Sequence, residues 1–458
     1  MRPGESHIHA TTIDSLPDDV LLNIFDFYRS DQDLYGCHFH PILHRLAHIC
    51  SRWRRIIYSS PRRLNLQLLC THGTPVRKNL GYWPLLPLII DYFTIRDADD
   101  RKCSTPSDSD EDNVVAALDN STRVRYLGIS VTSSLLEKMG TAMRKPFPTL
   151  THLCLSTDEN VPALPDGFLG VSSPSLRVVH LNGIHFPALP TLLLSTLSLV
   201  DLRLLDIPHY ISPEAMVANL AALTMLRTLF IGFRKPTLLS RTRRQDPITR
   251  TGLPFLKVFR FHGVKEYLED LIAQIDTPQL SHFRILYFNR LDFRVPRLSE
   301  FFGRTPNLSR FKRARIHFDV NYVYVRLYRE REELLDFSFQ ISCKGLDWQV
   351  SHVAQILSQS GAMIFDIGDL SIDVRNLPPG WKDHMDVTEL EWLELFHLFT
   401  AVKTLRMKTL TVSGKSTVQF AHGLKGITQM VTGMLCRLHS LSLEDEPLQS
   451  SESSRFCV

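Results

Sequence analysis

Apolar residues return at relative positions 0, +3 and +5 along most of the chain, and this recurrence limits the available folds more than any other feature. Leu150/Leu153/Leu155, Leu176/Val179/Leu181, Leu199/Leu202/Leu204, Leu226/Leu229/Ile231, Leu256/Phe259/Phe261 and Leu280/Phe283/Ile285 all follow it. Units begin at 124, 150, 176, 199, 226, 256, 280, 308, 334, 367, 402 and 438, at spacings of 23 to 36 residues. A period of that size marks stacked supersecondary units, because each can bury its apolar face only against the next. Proline stands two residues before the start at Pro148, Pro174, Pro254, Pro278 and Pro306, where it ends the preceding loop. Helix-start signals fill the intervals: Ser212-Pro213-Glu214 leads into Val217, Leu220 and Leu223, while Thr388 with Glu391 and Ser134 with Glu137 have capping-box spacing. The pattern predicts an α/β fold, a curved solenoid with a parallel sheet on the concave face and helices outside. Eleven steps of about 4.8 Å make that sheet roughly 50 Å wide. Arg313 breaks the pattern in the unit starting at 308, so the units are degenerate and their boundaries can slip.

At 458 residues the chain is too long for one compact core, which an elongated array accommodates. Fifty-two Lys+Arg against 48 Asp+Glu leave a formal charge of +4, too small an excess to point to nucleic acid. Eight cysteines show no CxxC pair and no framework spacing, so reduced thiols in the cytoplasm and/or nucleus are expected. Residues 1–12 are polar and carry no apolar core of a signal peptide. The longest run free of both charged residues and histidine, residues 186–200, falls short of the roughly 20 residues of a membrane span, so no membrane is expected as a partner. GxSxG, HExxH, the P-loop, GxGxxG before a helix and kinase signatures are all missing, so the chain is read as non-catalytic and without a cofactor. Cys37, His38, His40, His44, His48 and Cys50 form the densest histidine group. No metal is assigned there, because four converging ligands are not apparent and Cys37 falls in a loop.

Near the N-terminus, Pro17 suits a first helical position, and Asp18 and Asp19 complement the helix dipole. Val20, Leu21, Ile24, Phe25 and Tyr28 make one apolar stripe, and Ile42, Leu43, Leu46, Ile49, Cys50, Trp53, Ile56 and Ile57 make a second, which Pro61 stops. So small a helical module leaves apolar surface for a partner, or else caps the domain behind it. The run Leu16-Pro17-Asp18-Asp19-Val20-Leu21-Leu22-Asn23-Ile24-Phe25, followed by Leu46-Ala47-His48-Ile49-Cys50-Ser51-Arg52-Trp53-Arg54, resembles an F-box. With Ser60-Pro61-Arg62-Arg63-Leu64, Trp83-Pro84-Leu85-Leu86-Pro87 and Ile275-Asp276-Thr277-Pro278, most of the chain looks like the F-box proteins with C-terminal degenerate leucine-rich repeats expanded in mushroom-forming fungi. It departs from them in the long segment 30–41 and after about residue 417.

The resemblance implies that the F-box docks on the Skp-type adaptor of a cullin-based ubiquitin ligase through Leu16, Pro17, Val20, Leu21, Ile24, Phe25, Leu46, Ile49 and Trp53. Leucine-rich repeats would then hold the target, and the other subunits would carry the chemistry. A scaffold that no longer engages a ligase is the alternative. The division that follows is a flexible 1–12, an F-box at 13–61, a linker and cap at 62–123 with an acidic disordered loop at 97–112, the solenoid at 124–445 and a flexible tail at 446–458. Within that loop Ser107 and Ser109 sit among carboxylates, and an inert solvated loop is favoured over a phosphorylation site.

If positions 0, +3 and +5 face the core, position +4 faces outward. From the unit at 176 to that at 308 it reads His180, Arg203, Phe230, Arg260, Arg284 and Lys312, with His262, His282 and Arg310 beside it. Later units supply Asp336, Asp369 and Asp373. Aligned guanidinium groups suit an acidic or phosphorylated segment of a target protein, and an ordinary solvated strand face fits the same residues. One aromatic and no recognised module argue against a nucleic-acid reader. Arg241, Arg243, Arg244 and Arg250 are read as solvent-facing loop.

Overall fold

The computed structural model describes residues 13–30, 42–61, 63–64, 66–81, 85–92, 107–157, 162–171, 173–234, 249–287, 295–308, 311–319, 321–329, 337–342, 346–359, 364–375, 389–411 and 438–447. Three helices open it: α1 (Asp18–Ser30), α2 (Ile42–Ala47) and α3 (Ser51–Ser59). Pro17 accepts the Leu21 N–H through its carbonyl, and Asp18 and Asp19 occupy the first turn of α1. The Cys50 thiol caps α3 by accepting from the Trp53 N–H at 3.4 Å. Leu21, Phe25, Ala47, Trp53, Ile56 and Ile57 pack together with Leu64 and Leu66, and Phe25 meets Trp53 edge-on at 5.0 Å.

The strands are β1 (Leu68–Cys70), β2 (Leu88–Tyr92), β3 (Val124–Ser130), β4 (His152–Ser156), β5 (Val178–Asn182), β6 (Asp201–Ile207), β7 (Thr228–Phe233), β8 (Thr251–Gly252), β9 (Val258–Gly263), β10 (Ile275–Asp276), β11 (His282–Tyr287), β12 (Arg313–Phe318), β13 (Tyr322–Tyr328), β14 (Phe337–Ser342), β15 (Asp369–Arg375), β16 (Thr404–Thr411) and β17 (Ser440–Pro447). Among the described residues fifteen of them form one open sheet in the order β1-β2-β3-β4-β5-β6-β7-β9-β11-β14-β13-β12-β15-β16-β17, and β8 pairs with β10 apart from it. Further helices are α4 (Val76–Asn79), α5 (Asp108–Leu118), α6 (Ser133–Met139), α7 (Leu189–Ser195), α8 (Pro213–Leu220), α9 (Lys265–Ala273), α10 (Pro296–Arg304), α11 (Leu346–Gln359) and α12 (Glu389–His397). Their buried residues share one continuous core with one face of the sheet.

The three repeated positions do different jobs. Positions +3 and +5 alternate along each strand and point into the core, as Leu153 and Leu155 or Phe283 and Ile285 do. Position 0 lies before the strand and is buried as well: Leu150, Leu176, Leu199, Leu226, Leu256 and Leu280 each close a turn by donating their N–H to the carbonyl three residues earlier. The turn aims the chain into the next strand, and the leucine side chain anchors it.

Three expectations need correction. The sheet is parallel except at β13, which runs antiparallel to both β12 and β14. The chain leaves β11, passes over two places to form β12, returns through β13, and fills the gap beside β11 with β14. Arg313 opens β12, so the strand's core residues are Ala314, Ile316 and Phe318, while Leu308 and Phe311 of the expected triplet are buried just ahead of the strand and Arg313 alone stays out of the core. The run Tyr322–Tyr328 adds a strand through the period-two burial of Val323, Val325 and Leu327, a signal that a period near 26 passes over. Residues 68–70 and 88–92, expected in a linker and cap, extend the sheet as β1 and β2. Finally, residues 107–112 of the expected disordered acidic loop start α5 instead. Ser107 and Asp110 form a capping box there, and acidic side chains suit the positive end of a helix. Asp110 accepts from the Gly73 N–H at 3.0 Å, and Glu111 is held by Thr132, Ser134 and Lys138 at 3.2, 2.9 and 2.7 Å.

The core is densest in aromatic rings around β11. Phe283 stacks on Phe259 at 5.1 Å and meets Phe301, Phe302 and Phe337 at 5.7, 6.2 and 5.9 Å. Phe283→Ala is expected to cost about 3–5 kcal/mol of unfolding free energy, measured by urea titration; a loss under about 1 kcal/mol would contradict this packing.

Candidate interaction surfaces

The three-helix module divides the residues expected to meet an adaptor into surface and core. Pro17, Val20 and Ile49 are exposed, and Leu16, Ile24 and Leu46 are half-buried. Leu21, Phe25 and Trp53 are buried in the module's own core, so they hold the helices together rather than present a surface. The stripe rule could not separate the two sets, since on a small helical module one apolar face both packs and protrudes. Ile13, Phe27 and Tyr58 are exposed apolar residues that the stripes did not single out, with Phe27 at 69% exposure. Arg52 fastens α3 to the start of α1, its guanidinium donating to Asp18 Oδ1 at 2.6 and 3.0 Å and to the Leu16 carbonyl at 2.6 Å.

On the sheet face away from the helices, strand register lines up a single row. From β4 to β9 it reads Cys154, His180, Arg203, Phe230, Arg260. It continues through Arg284, Ser338, Arg326 and Arg315 across β11, β14, β13 and β12. Ser371, Arg406 and Ser442 carry it to β17. Register partners project from the same side of a sheet, and the alternate residues of these strands fill the core. The expected His180, Arg203, Phe230, Arg260 and Arg284 therefore stand together.

Lys312 does not join them. It precedes β12, donates its N–H to the Tyr328 carbonyl, and its ammonium lies 3.3 Å from Asp366. His262 and His282 fall in the rows on either side, paired with Leu286 and Val258. Arg310 and Asp336 lie outside the described residues, as do Arg241, Arg243, Arg244, Cys37, His38 and His40. Arg406 stands at position +4 of the unit at 402 and was legible by the same rule. Arg315 and Arg326 were not, because the meander breaks the repeat register.

Charge is distributed unevenly along the row. Asp201 takes a bidentate pair of bonds from Arg203 at 3.1 and 2.8 Å and faces His180 Nε2 at 3.4 Å. Burial raises its proton affinity, but His180 and Arg203 outweigh that and hold the carboxyl below its usual range. At the other end Arg315 lies 3.9 Å from the buried Asp373. Between them, Arg260, Arg284 and Arg326 make no ion pair among the described residues. Burial, then Arg284 and Arg203, lower the proton affinity of Arg260. Arg326 and Arg284 flank the Tyr324 ring at 4.4 and 5.8 Å, a cation–π arrangement that orients both guanidiniums. The middle of the row thus concentrates positive charge.

Residues 13–66 match the F-box-like family model. That span covers α1 to α3 and the turns that bury Leu64 and Leu66 against them. F-box domains generally bind Skp-type adaptors and serve as non-catalytic docking modules. No curated protein matches the chain. No helix among the described residues is long and apolar enough to cross a membrane.

Two substitutions separate core from surface in the helical module. Phe25→Ala should destabilise it by about 3–5 kcal/mol, whereas Ile49→Asp should stay within about 0.5 kcal/mol, both followed by thermal melting; equal effects would contradict the division. Asp201→Asn tests the row's internal pair. A carboxyl whose folded proton affinity is depressed adds stability above its unfolded pKa near 3.8 and loses it as pH falls. Wild type should therefore exceed the Asn variant by about 1–2 kcal/mol at pH 7, with the gap closing below about pH 4; a gap independent of pH would refute the pairing.

Proposed function

We propose that the chain is the substrate-recognition subunit of a Skp–cullin–F-box ubiquitin ligase. In this reading the helical module docks on the Skp-type adaptor through Pro17, Val20 and Ile49, with Leu16, Ile24 and Leu46 completing the surface. Leu21, Phe25 and Trp53 keep that surface in shape from beneath. The sheet is a degenerate leucine-rich-repeat solenoid carried from residue 124 to about 445, and its arginine row holds an acidic or phosphorylated segment of a target protein. Ubiquitin transfer then depends on proximity, which converts an encounter between separate molecules into one within a complex. No residue of this chain needs to react.

The observation that supports the reading most is the joining of an F-box-like match at residues 13–66 to a sheet face bearing Arg260, Arg284 and Arg326 without carboxylate partners among the described residues. One module has the chemistry of a dock, and the other that of a grip. Affinity capture of the tagged chain tests both. Val20→Glu with Ile49→Glu should reduce recovery of adaptor and cullin at least tenfold. Arg260→Glu with Arg284→Glu should leave that recovery intact. Adaptor recovered without cullin would replace the ligase with a scaffold, and adaptor recovery unchanged by the paired Glu substitutions would overturn the docking surface.

A further inference from the structure

One position in the arginine row differs in construction from the rest. Ser338 on β14 sits in register between Arg284 on β11 and Arg326 on β13. Strands lie about 4.8 Å apart, so the flanking arginines are anchored roughly 9.6 Å from each other with only a hydroxymethyl group between them. The Ser338 hydroxyl is fully buried and Arg326 Nε is buried too, and neither has a hydrogen-bond partner among the described residues. A buried donor left without a partner carries its full desolvation cost, and a guanidinium more so. Tyr324 lies beside them on the same face, paired in register with Gln340, and its ring abuts both guanidiniums. Arg260 adds a third cation, next to Arg284 in register.

We infer that Arg260, Arg284, Arg326 and Ser338 form an oxyanion site that takes the phosphate monoester of a phosphorylated serine or threonine in the target segment. The inference rests on the reading of this face as the target-binding surface and names the ligand that its centre recognises. A carboxylate offers two oxygens in one plane, and the chain shows at Asp201 how it satisfies one: a single bidentate arginine with a histidine beside it. A phosphate monoester carries a charge of about −1.5 to −2 and three terminal oxygens. Guanidiniums approaching from two strands on opposite sides reach different oxygens, and a hydroxyl between them supplies another donor. Among the described residues, neither Arg284 nor Arg326 has a carboxylate partner to give up. The second serine of the row is built otherwise. Ser371 Oγ lies 3.4 Å from Asp373 Oδ1, and that carboxylate sits 3.9 Å from Arg315, so the position between Arg315 and Arg406 already holds its anion.

The test is a ³¹P line-width titration of O-phospho-L-serine with the full chain, with inorganic phosphate, L-glutamate and poly(U) RNA as competitors. Phosphoserine should broaden, millimolar inorganic phosphate should reverse it, and glutamate at ten times that concentration should not. Arg326→Gln should weaken binding at least tenfold. Ser338→Ala should weaken it three- to tenfold while leaving the melting temperature equal or higher, since it removes an unpaired buried hydroxyl; this variant decides the matter if Arg326→Gln fails to fold. Arg406→Gln, farther along the same row, should have no effect. Binding unchanged in Ser338→Ala and Arg326→Gln overturns the site, as does its absence in the wild-type chain. Displacement by glutamate as readily as by phosphate overturns the ligand class, and displacement by RNA more readily than by phosphate reassigns the row to nucleic acid. Phosphate binding lost while adaptor capture persists sinks this site alone, whereas phosphate binding with no adaptor capture sinks the ligase reading alone.

Discussion

The structure depends on one constraint: each apolar triplet can leave water only by packing against its neighbours in the array. Leu150 or Leu226 closes a turn, and the two residues at +3 and +5 then enter the shared core. Because burial in each unit requires the adjoining one, register passes from strand to strand, and a position repeated in sequence becomes a line in space. The arginine row is a consequence of this. Nothing local to Arg203, Arg260 or Arg284 brings them together; the leucines between them do.

Where the repeat fails, the failure is productive. The pattern slips at Arg313, and a three-strand meander takes the place of two parallel steps. The antiparallel β13 inserts Tyr324 and Arg326 into the outer face, and β14 inserts Ser338 beside them. The meander gathers two guanidiniums on one ring, next to a buried hydroxyl, and neither makes an ion pair among the described residues.

Periodicity made the parallel strands and the first half of the row legible, because burial at +3 and +5 dictates what +4 must do. It did not reach Arg315 and Arg326, since both follow the break at Arg313 and their places depend on hairpin pairing rather than on repeat length. The alternation from Tyr322 to Tyr328 was a plain strand signal of another period. Ser107 followed by acids read as a solvated loop, yet Val114, Ala117 and Leu118, about two to three helical turns downstream, give the same acids a helix to cap. In the N-terminal module the sequence located the helices, but burial alone separates Val20 and Ile49 from Leu21 and Phe25. A stripe shows which residues avoid water and leaves open whether they avoid it against their own chain or a partner's.

The proposed function requires that the strand face bearing the row meets a phosphorylated target. Site-specific photo-crosslinking tests it most directly, with a benzophenone residue placed at Gln340 on the row face or at Leu194, exposed on α7. A target adduct is expected from position 340 that disappears when the sample is treated with phosphatase before irradiation, and none from position 194. Adducts from position 194 alone, or an adduct from 340 indifferent to phosphatase, would contradict it.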